Sequence, residues 1–226
     1  MAIARGQTLK RPVSCSNNDS ANERVVMLAR GLAEHFVEHG WAVQGNFLSM
    51  ARWRALAIEA EQLWTQDAFH KAGIGRDPAR RLQTRIRGDY TLWLDRQRTP
   101  AACQFVEQEL EAVRCALNAS ACLGLFEFEG HLARYPVGAF YARHLDQLRD
   151  TQARQVSVVL YLNAHWQPAA GGELCLYRGQ SSAHARIPIL PRGGTLVLFA
   201  STDTPHEVRP ATRARLSLSG WLRRRA

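Results

Sequence analysis

The chain has 226 residues, enough for one sizeable core, with 46% apolar and 22% charged residues. No segment approaches the roughly 18 uninterrupted apolar residues of a membrane span, which excludes a helical membrane protein. The formal net charge is +9, but no zinc-finger, helix-turn-helix or RNP-like pattern accompanies it, so nucleic acid is not an expected partner and Arg223-Arg224-Arg225 reads as a solvated tail.

In chain order, residues 1–19 are polar, mildly basic and without apolar period or a signal-peptide core, which predicts a disordered leader. Ser20-Ala-Asn-Glu23 has the form of a capping box, and Val25, Leu28, Ala29, Leu32, Ala33 and Phe36 follow at helical spacing, so a first helix is expected to run to about His39 and stop at Gly40. His35 and His39 are four apart on it without a neighbouring carboxylate ligand pattern and read as surface histidines. Trp41-Ala-Val43 suggests a short strand, and a second helix from about Ser49 carries Trp53, Leu56, Ala57, Ala60 and Leu63. Gly73, Gly75 and Pro78 break the pattern ahead of an arginine-rich loop, Asp77 to Arg85. Ile86 to Leu94 returns to strand alternation, and Pro100 suits the first turn of a third helix ending near Asn118.

Beyond Leu125 the chain is almost entirely short strand candidates: 125–135, 140–146, 155–163, 173–177, 185–189, 195–199, 206–208 and 214–222, punctuated by Pro136-Val-Gly138, Gly171-Gly172 and Arg192-Gly-Gly194. This predicts an α+β fold: a double-stranded β-helix (jelly roll) of about residues 123–222, buttressed on an outer face by helices within 20–122, the whole of 20–226 forming one domain. The five cysteines, at 15, 103, 115, 122 and 175, are odd in number and lack CxxC spacing, which predicts free thiols and a cytoplasmic location.

One stretch carries chemistry. Tyr141-Ala-Arg-His-Leu-Asp146 sets His144 and Asp146 two apart in a predicted strand, where they share a face and make two thirds of a two-histidine, one-carboxylate iron site. His206, in Thr204-Pro-His-Glu-Val208, is the candidate third ligand; His131, His165 and His184 read as structural or exposed, and zinc is the alternative metal. Arg215, Ser217 and Ser219 lie on one face of the last long strand, and a guanidinium on a barrel wall needs an anion that no acidic residue of that strand supplies.

These residues resemble the 2-oxoglutarate- and Fe(II)-dependent oxygenases, in particular the prolyl 4-hydroxylase branch that includes the HIF-type enzymes and their bacterial relatives. The resemblance is carried by Ile86-Arg-Gly-Asp89 with Trp93, Arg134-Tyr-Pro136, Tyr141 to Asp146, Tyr161-Leu-Asn163 with Trp166, Gly171-Gly172-Glu173-Leu174, Pro205-His-Glu-Val208, and Arg215 with Trp221. It implies His144, Asp146 and His206 as Fe(II) ligands and Arg215 as the clamp on the distal carboxylate of 2-oxoglutarate, with Tyr161 donating to the same carboxylate. Tyr135 would lie near the co-substrate or substrate proline, Ser219 would join the cofactor-binding set, and Trp221 would line the pocket beside the iron. Arg87-Gly-Asp89 would be a structural and substrate-side element following a mobile loop. The segment between Tyr135 and His144 departs from the animal oxygen sensors by being a residue shorter.

The resemblance further implies hydroxylation of a prolyl residue in a protein, with O2 and 2-oxoglutarate converted to succinate and CO2 and with ascorbate supporting activity. A translation factor such as elongation factor Tu is a candidate target, and a monomer is expected. Hydroxylation of another residue or a small molecule, or a catalytically silent 2-oxoglutarate- or peptide-binding module, are the alternatives. Leu160, Leu162, Val197 and Phe199 are expected to wall the site.

Overall fold

A computed structural model describes residues 16–73, 83, 85–94, 101–146, 153–177 and 186–225, with side chains from Asn22 onward. Residues 1–15 of the expected leader, most of the arginine-rich loop, Pro100 and His184 lie outside the described residues. Three helices, α1 (Ser16–His39), α2 (Met50–Thr65) and α3 (Ala101–Ala121), accompany strands β1 (Trp41–Gln44), β2 (His70–Lys71), β3 (Tyr90–Trp93) and β4 (Leu125–Tyr135). The remainder is strand apart from one 3-10 turn at Pro168–Ala170: β5 (Tyr141–His144), β6 (Arg154–Tyr161), β7 (Leu174–Tyr177), β8 (Arg186–Ile189), β9 (Leu196–Ala200), β10 (His206–Val208) and β11 (Arg215–Arg224). Ser20-Ala-Asn-Glu23 sits inside α1, not at its start, because the helix begins at Ser16. No described helix is long and apolar enough to cross a membrane.

The strands make two antiparallel sheets, a major one in the order β1-β9-β6-β11-β4-β3-β2 and a minor one in the order β5-β10-β7-β8. This is the jelly roll that the strand pattern predicted. Period-two alternation divides the major sheet's side chains between two cores. Leu132, Val156, Val158, Leu160, Leu196, Leu198, Leu216, Leu218 and Leu222 pack against α1, α2 and α3, with Phe36, Trp53, Leu56, Val106 and Leu110 as the helical contribution. Ala133, Tyr135, Tyr161, Val197 and Phe199 turn the other way, toward Leu174, Leu176, Ile189 and Val208 of the minor sheet. Leu160 and Leu162 therefore belong to the helix-facing core and do not wall the site, whereas Val197 and Phe199 do face inward.

Strand register sets the inner face in rows across β4, β11 and β6. Arg215 stands opposite Tyr135; Ser217 opposite Ala133 and Tyr161; Ser219 opposite His131 and Val159; Trp221 opposite Glu129 and Ser157. Trp93 of β3 extends the row of His131. At about 3.3 Å per residue, Trp221 lies roughly 20 Å along the strand from Arg215. Ile86 to Asp89 crosses between the sheets: Ala142 donates its N–H to Ile86 O (2.8 Å), and Gly88 donates to Phe140 O (2.9 Å), before the chain enters β3.

Candidate metal centre

His144 and His206 are directly opposed in the antiparallel β5–β10 pair, with ring centroids 4.2 Å apart. Asp146 lies two residues past the end of β5, so the His-x-Asp pair is completed by the turn and not by strand alternation alone. Asp146 Oδ1 is 3.4 Å from His144 Nε2 and 3.6 Å from His206 Nε2. One donor atom from each of the three lies within 4.8 Å of the others, a set of two imidazole nitrogens and one carboxylate oxygen that suits Fe(II) with open positions.

Both rings are held so that Nε2 faces this centre. His144 Nδ1 is 2.8 Å from Ala142 O, and His206 Nδ1 is 3.1 Å from Thr204 O. A carbonyl can only accept, so each Nδ1 carries a proton and Nε2 is the ring nitrogen turned to the centre. Tyr141 stacks on His144 at 3.5 Å between centroids and 15° between planes, and the Arg87 guanidinium covers the other face of Tyr141 at 4.3 Å. Arg87 is anchored in turn by two bonds to buried Asp89, at 2.7 and 2.6 Å. Arg87-Gly-Asp89 thus supports the first ligand through a stack, a use the sequence resemblance did not specify.

The second oxygen of Asp146 accepts from Ser157 Oγ at 2.7 Å, and Ser157 Oγ is 2.9 Å from Ser201 Oγ. Burial pushes the Asp146 carboxyl up, but His206, His144 and the Ser157 hydroxyl outweigh it and hold the group well below the usual carboxylate range. For His206, burial prevails over the attraction of Asp146 and lowers the imidazole to about 4. A deprotonated carboxylate beside a neutral imidazole is the protonation state that metal binding needs.

Deeper in the same cavity of about 660 Å³ lies Arg215. It is 2% exposed, and its Nε has no hydrogen-bond partner among the described residues. Its guanidinium carbon is 4.9 Å from the Tyr135 ring and 5.0 Å from the Tyr161 ring. The fully buried Tyr161 hydroxyl makes no hydrogen bond of good geometry among the described residues, with the Arg215 guanidinium as its polar neighbour. Burial raises the Tyr161 phenol, opposed by the neighbouring Arg215, so it stays a neutral donor. A buried cation and a buried hydroxyl left open together fit a carboxylate that both address.

The surroundings fix Arg215 in place. Asn163 Nδ2 donates to Leu216 O and to Pro191 O, both at 2.9 Å, while Leu216 N donates to Asn163 Oδ1 at 2.7 Å. Gly172 has φ +74°, and a Cβ there would come within 2.9 Å of Ala211 Cβ and 3.0 Å of Trp166 Cζ2, so only glycine fits this turn beside the Arg215 stem.

Of the other expected site residues, Ser219 and Trp221 line the same cavity. Ser219 Oγ is 3.0 Å from Ser217 Oγ, and Trp221 sits at the end far from Arg215. His165 adopts φ +49° in a turn, and His35 and His39 make an edge contact with each other at 4.3 Å, beside Trp41. His131 reads from sequence as structural or exposed; it is buried and lines the cavity. Its phase was available, since it alternates with Ala133 and Tyr135 on β4. Ser157 and Ser201 are not singled out by the sequence reading, although Ser157 is the one serine in β6 and shares the parity of Tyr161.

Residues 130–223 match the 2OG-Fe(II) oxygenase superfamily. A solved prolyl-4-hydroxylase of Pseudomonas putida is 39% identical, with a TM-score of 0.77 over 88% of this chain and 100% of that one. The chain belongs to the 2OG-Fe(II) oxygenase superfamily. Solved structures similar to it, from Pseudomonas putida and Trichoplax adhaerens, are prolyl hydroxylases. A prolyl hydroxylase of Trichoplax adhaerens, solved with a peptide fragment of the hypoxia inducible factor oxygen degradation domain, is 25% identical with a TM-score of 0.80, over 91% of this chain and 93% of that one. Egl nine homolog 1 of Mus musculus is 26% identical over 192 residues, 81% of this chain and 46% of its own length. This oxygenase chain thus spans about half the length of the curated relatives it matches.

Proposed function

We propose that this chain is a dioxygenase that hydroxylates a prolyl residue of a protein or peptide, with Fe(II) held by His144, Asp146 and His206 and 2-oxoglutarate anchored by Arg215. The observation that carries the reading is the buried Arg215, whose Nε has no hydrogen-bond partner among the described residues, in the same cavity as His144, Asp146 and His206. A relative solved with a substrate peptide supports the protein or peptide class.

When bound, iron with 2-oxoglutarate and O2 supplies the oxidising power for C–H hydroxylation, 2-oxoglutarate leaving as succinate and CO2. The chain's own residues supply geometry. Arg215 and Tyr161 bind the distal carboxylate and so fix how far the co-substrate reaches toward the tripod. The Ala142 and Thr204 carbonyls keep both imidazoles turned inward, and Ser157 holds Asp146. Val197 and Phe199 exclude water from one side. Tyr135 and Ser219 line the path between clamp and tripod, while Trp221 and Trp93 wall the outer opening where a chain segment enters.

The test is succinate formation from 2-oxoglutarate with Fe(II) and ascorbate, run with a panel of proline-containing proteins that includes elongation factor Tu. Mass spectrometry should show a gain of one oxygen, about 16 Da, on one proline of one target. His206→Ala should reduce both signals to background. Equal succinate from wild type and variant would end the enzyme reading; oxygen gained on a residue other than proline, or on a small molecule, would replace the prolyl one.

A further inference from the structure

The outer half of the cavity holds buried polar atoms that nothing above uses, two of them on neutral side chains. His131 is 6% exposed and lies between two indoles, its ring centroid 4.9 Å from Trp93 and 5.6 Å from Trp221. Its Nδ1 is buried with no hydrogen-bond partner among the described residues, and the same is true of Trp221 Nε1. Both residues line the cavity. Leaving such groups unpaired is unfavourable, and a ligand that satisfies them recovers that cost.

The charges nearby are already matched. Arg154 donates to both carboxylate oxygens of Glu129, at 3.3 and 3.1 Å, and lies 3.4 Å over the Trp221 ring. Arg223 lies within ion-pair distance of Glu127 and Glu129, at 3.2 and 3.4 Å, so its charge is met although its Nε makes no hydrogen bond among the described residues. An ionic ligand is therefore not what the outer half lacks. It lacks an acceptor for an indole N–H and a donor for a neutral imidazole, side by side between flat apolar walls. Burial, assisted by the positive charge of Arg87, lowers His131 to about 4, so the ring offers a lone pair at neutral pH. A secondary amide carries one donor and one acceptor and no charge.

We infer that His131 and Trp221 together read the main chain of the entering segment, His131 Nδ1 accepting a backbone N–H and Trp221 Nε1–H donating to a backbone carbonyl. His131 thereby sets the position along the cavity at which the segment stops. It is a specificity residue, not a catalytic one. The inference rests on the proposed peptide substrate and goes beyond it by naming the groups read.

The experiment uses the full chain loaded with Mn(II) and 2-oxoglutarate, which cannot turn over, and a pool of blocked nine-residue peptides with one central proline. For a captured peptide, each backbone N–H near the proline is methylated in turn. Methylation at one position should weaken wild-type binding about tenfold, the loss expected for one buried hydrogen bond. His131→Phe should bind the parent peptide about tenfold more weakly, show no further loss on methylation, and keep the wild-type affinity for 2-oxoglutarate. His131→Asn, which restores an acceptor, should recover part of the affinity and of the methylation response. The inference is overturned if no methylation affects wild-type binding, or if His131→Phe retains affinity and methylation response while binding 2-oxoglutarate normally. If wild type binds Mn(II) and 2-oxoglutarate but captures no peptide, the peptide reading itself falls and takes this inference with it.

Discussion

The two ends of the cavity solve opposite problems with the same strand. At the closed end, β11 presents Arg215 with no anion to meet it, so the protein carries an electrostatic debt that only a ligand settles. Six residues along, the same strand presents Trp221, and the charges around it are matched within the protein by Glu129, Arg154 and Arg223. On the proposed reading, one end would take a defined anion and the other a neutral segment held by shape and a few hydrogen bonds, with the anion deep and the chain segment outside it.

That contrast is broken most severely by Arg215→Ala. Loss of the buried cation should weaken 2-oxoglutarate binding roughly a hundredfold, as expected for losing a buried charge pair, while Mn(II) affinity, read by titration, stays within about threefold; unchanged co-substrate affinity would remove Arg215 from the clamp. The outer end is next, through pH. His131 sits near 4 when folded and near 6.5 when unfolded. Its contribution is therefore complete above about 6.5 and is lost as the pH falls toward 4, because the unfolded chain takes up the proton first. Between pH 7 and 5, denaturant unfolding of the metal-free protein should lose about 2 kcal/mol more in wild type than in His131→Phe; parallel pH curves would show that His131 is charged or solvated in the folded state.

Between the two ends, Ser157→Ala removes the hydroxyl that holds Asp146. Mn(II) affinity should fall about tenfold, the usual loss for a partner outside the ligand sphere, with 2-oxoglutarate affinity measured on the Mn(II)-saturated protein unaltered. The smallest expected change is at Tyr161→Phe. Deleting a hydroxyl that makes no hydrogen bond of good geometry among the described residues should leave the melting temperature unchanged or slightly raised, and should weaken 2-oxoglutarate about threefold to tenfold. A destabilised variant would mean that the hydroxyl is bonded within the fold.

The closed end was legible in the sequence and the outer end was not. Arg215, Ser217 and Ser219 announce themselves because an arginine in strand phase with two hydroxyls contradicts an apolar wall. The ligand triad follows from a short motif and one well-placed histidine. His131 offers no local contradiction: its surroundings come from Trp93 and Trp221, far away in sequence on either side, and only β pairing brings them together. Leu160 and Leu162 misled for a related reason. With Tyr161 facing inward, strand parity sends both leucines to the helices, and a reading by hydrophobicity alone ignores that. The start of α1 at Ser16 was missed because a capping-box pattern names residue types and is equally compatible with the interior of a helix.

The position of the three ligand side chains has a consequence for the lifetime of the protein. His144 and His206 belong to the minor sheet, while Asp146 is tied through Ser157 to β6 of the major one. A cation held there is a rivet across the seam between the sheets, present only in the folded state. By mass action, a metal at a hundred times its dissociation constant adds about 2.7 kcal/mol to the unfolding free energy. Iron scarcity would then act on the abundance of this protein as well as on its turnover, since the chain without metal would be the less stable one.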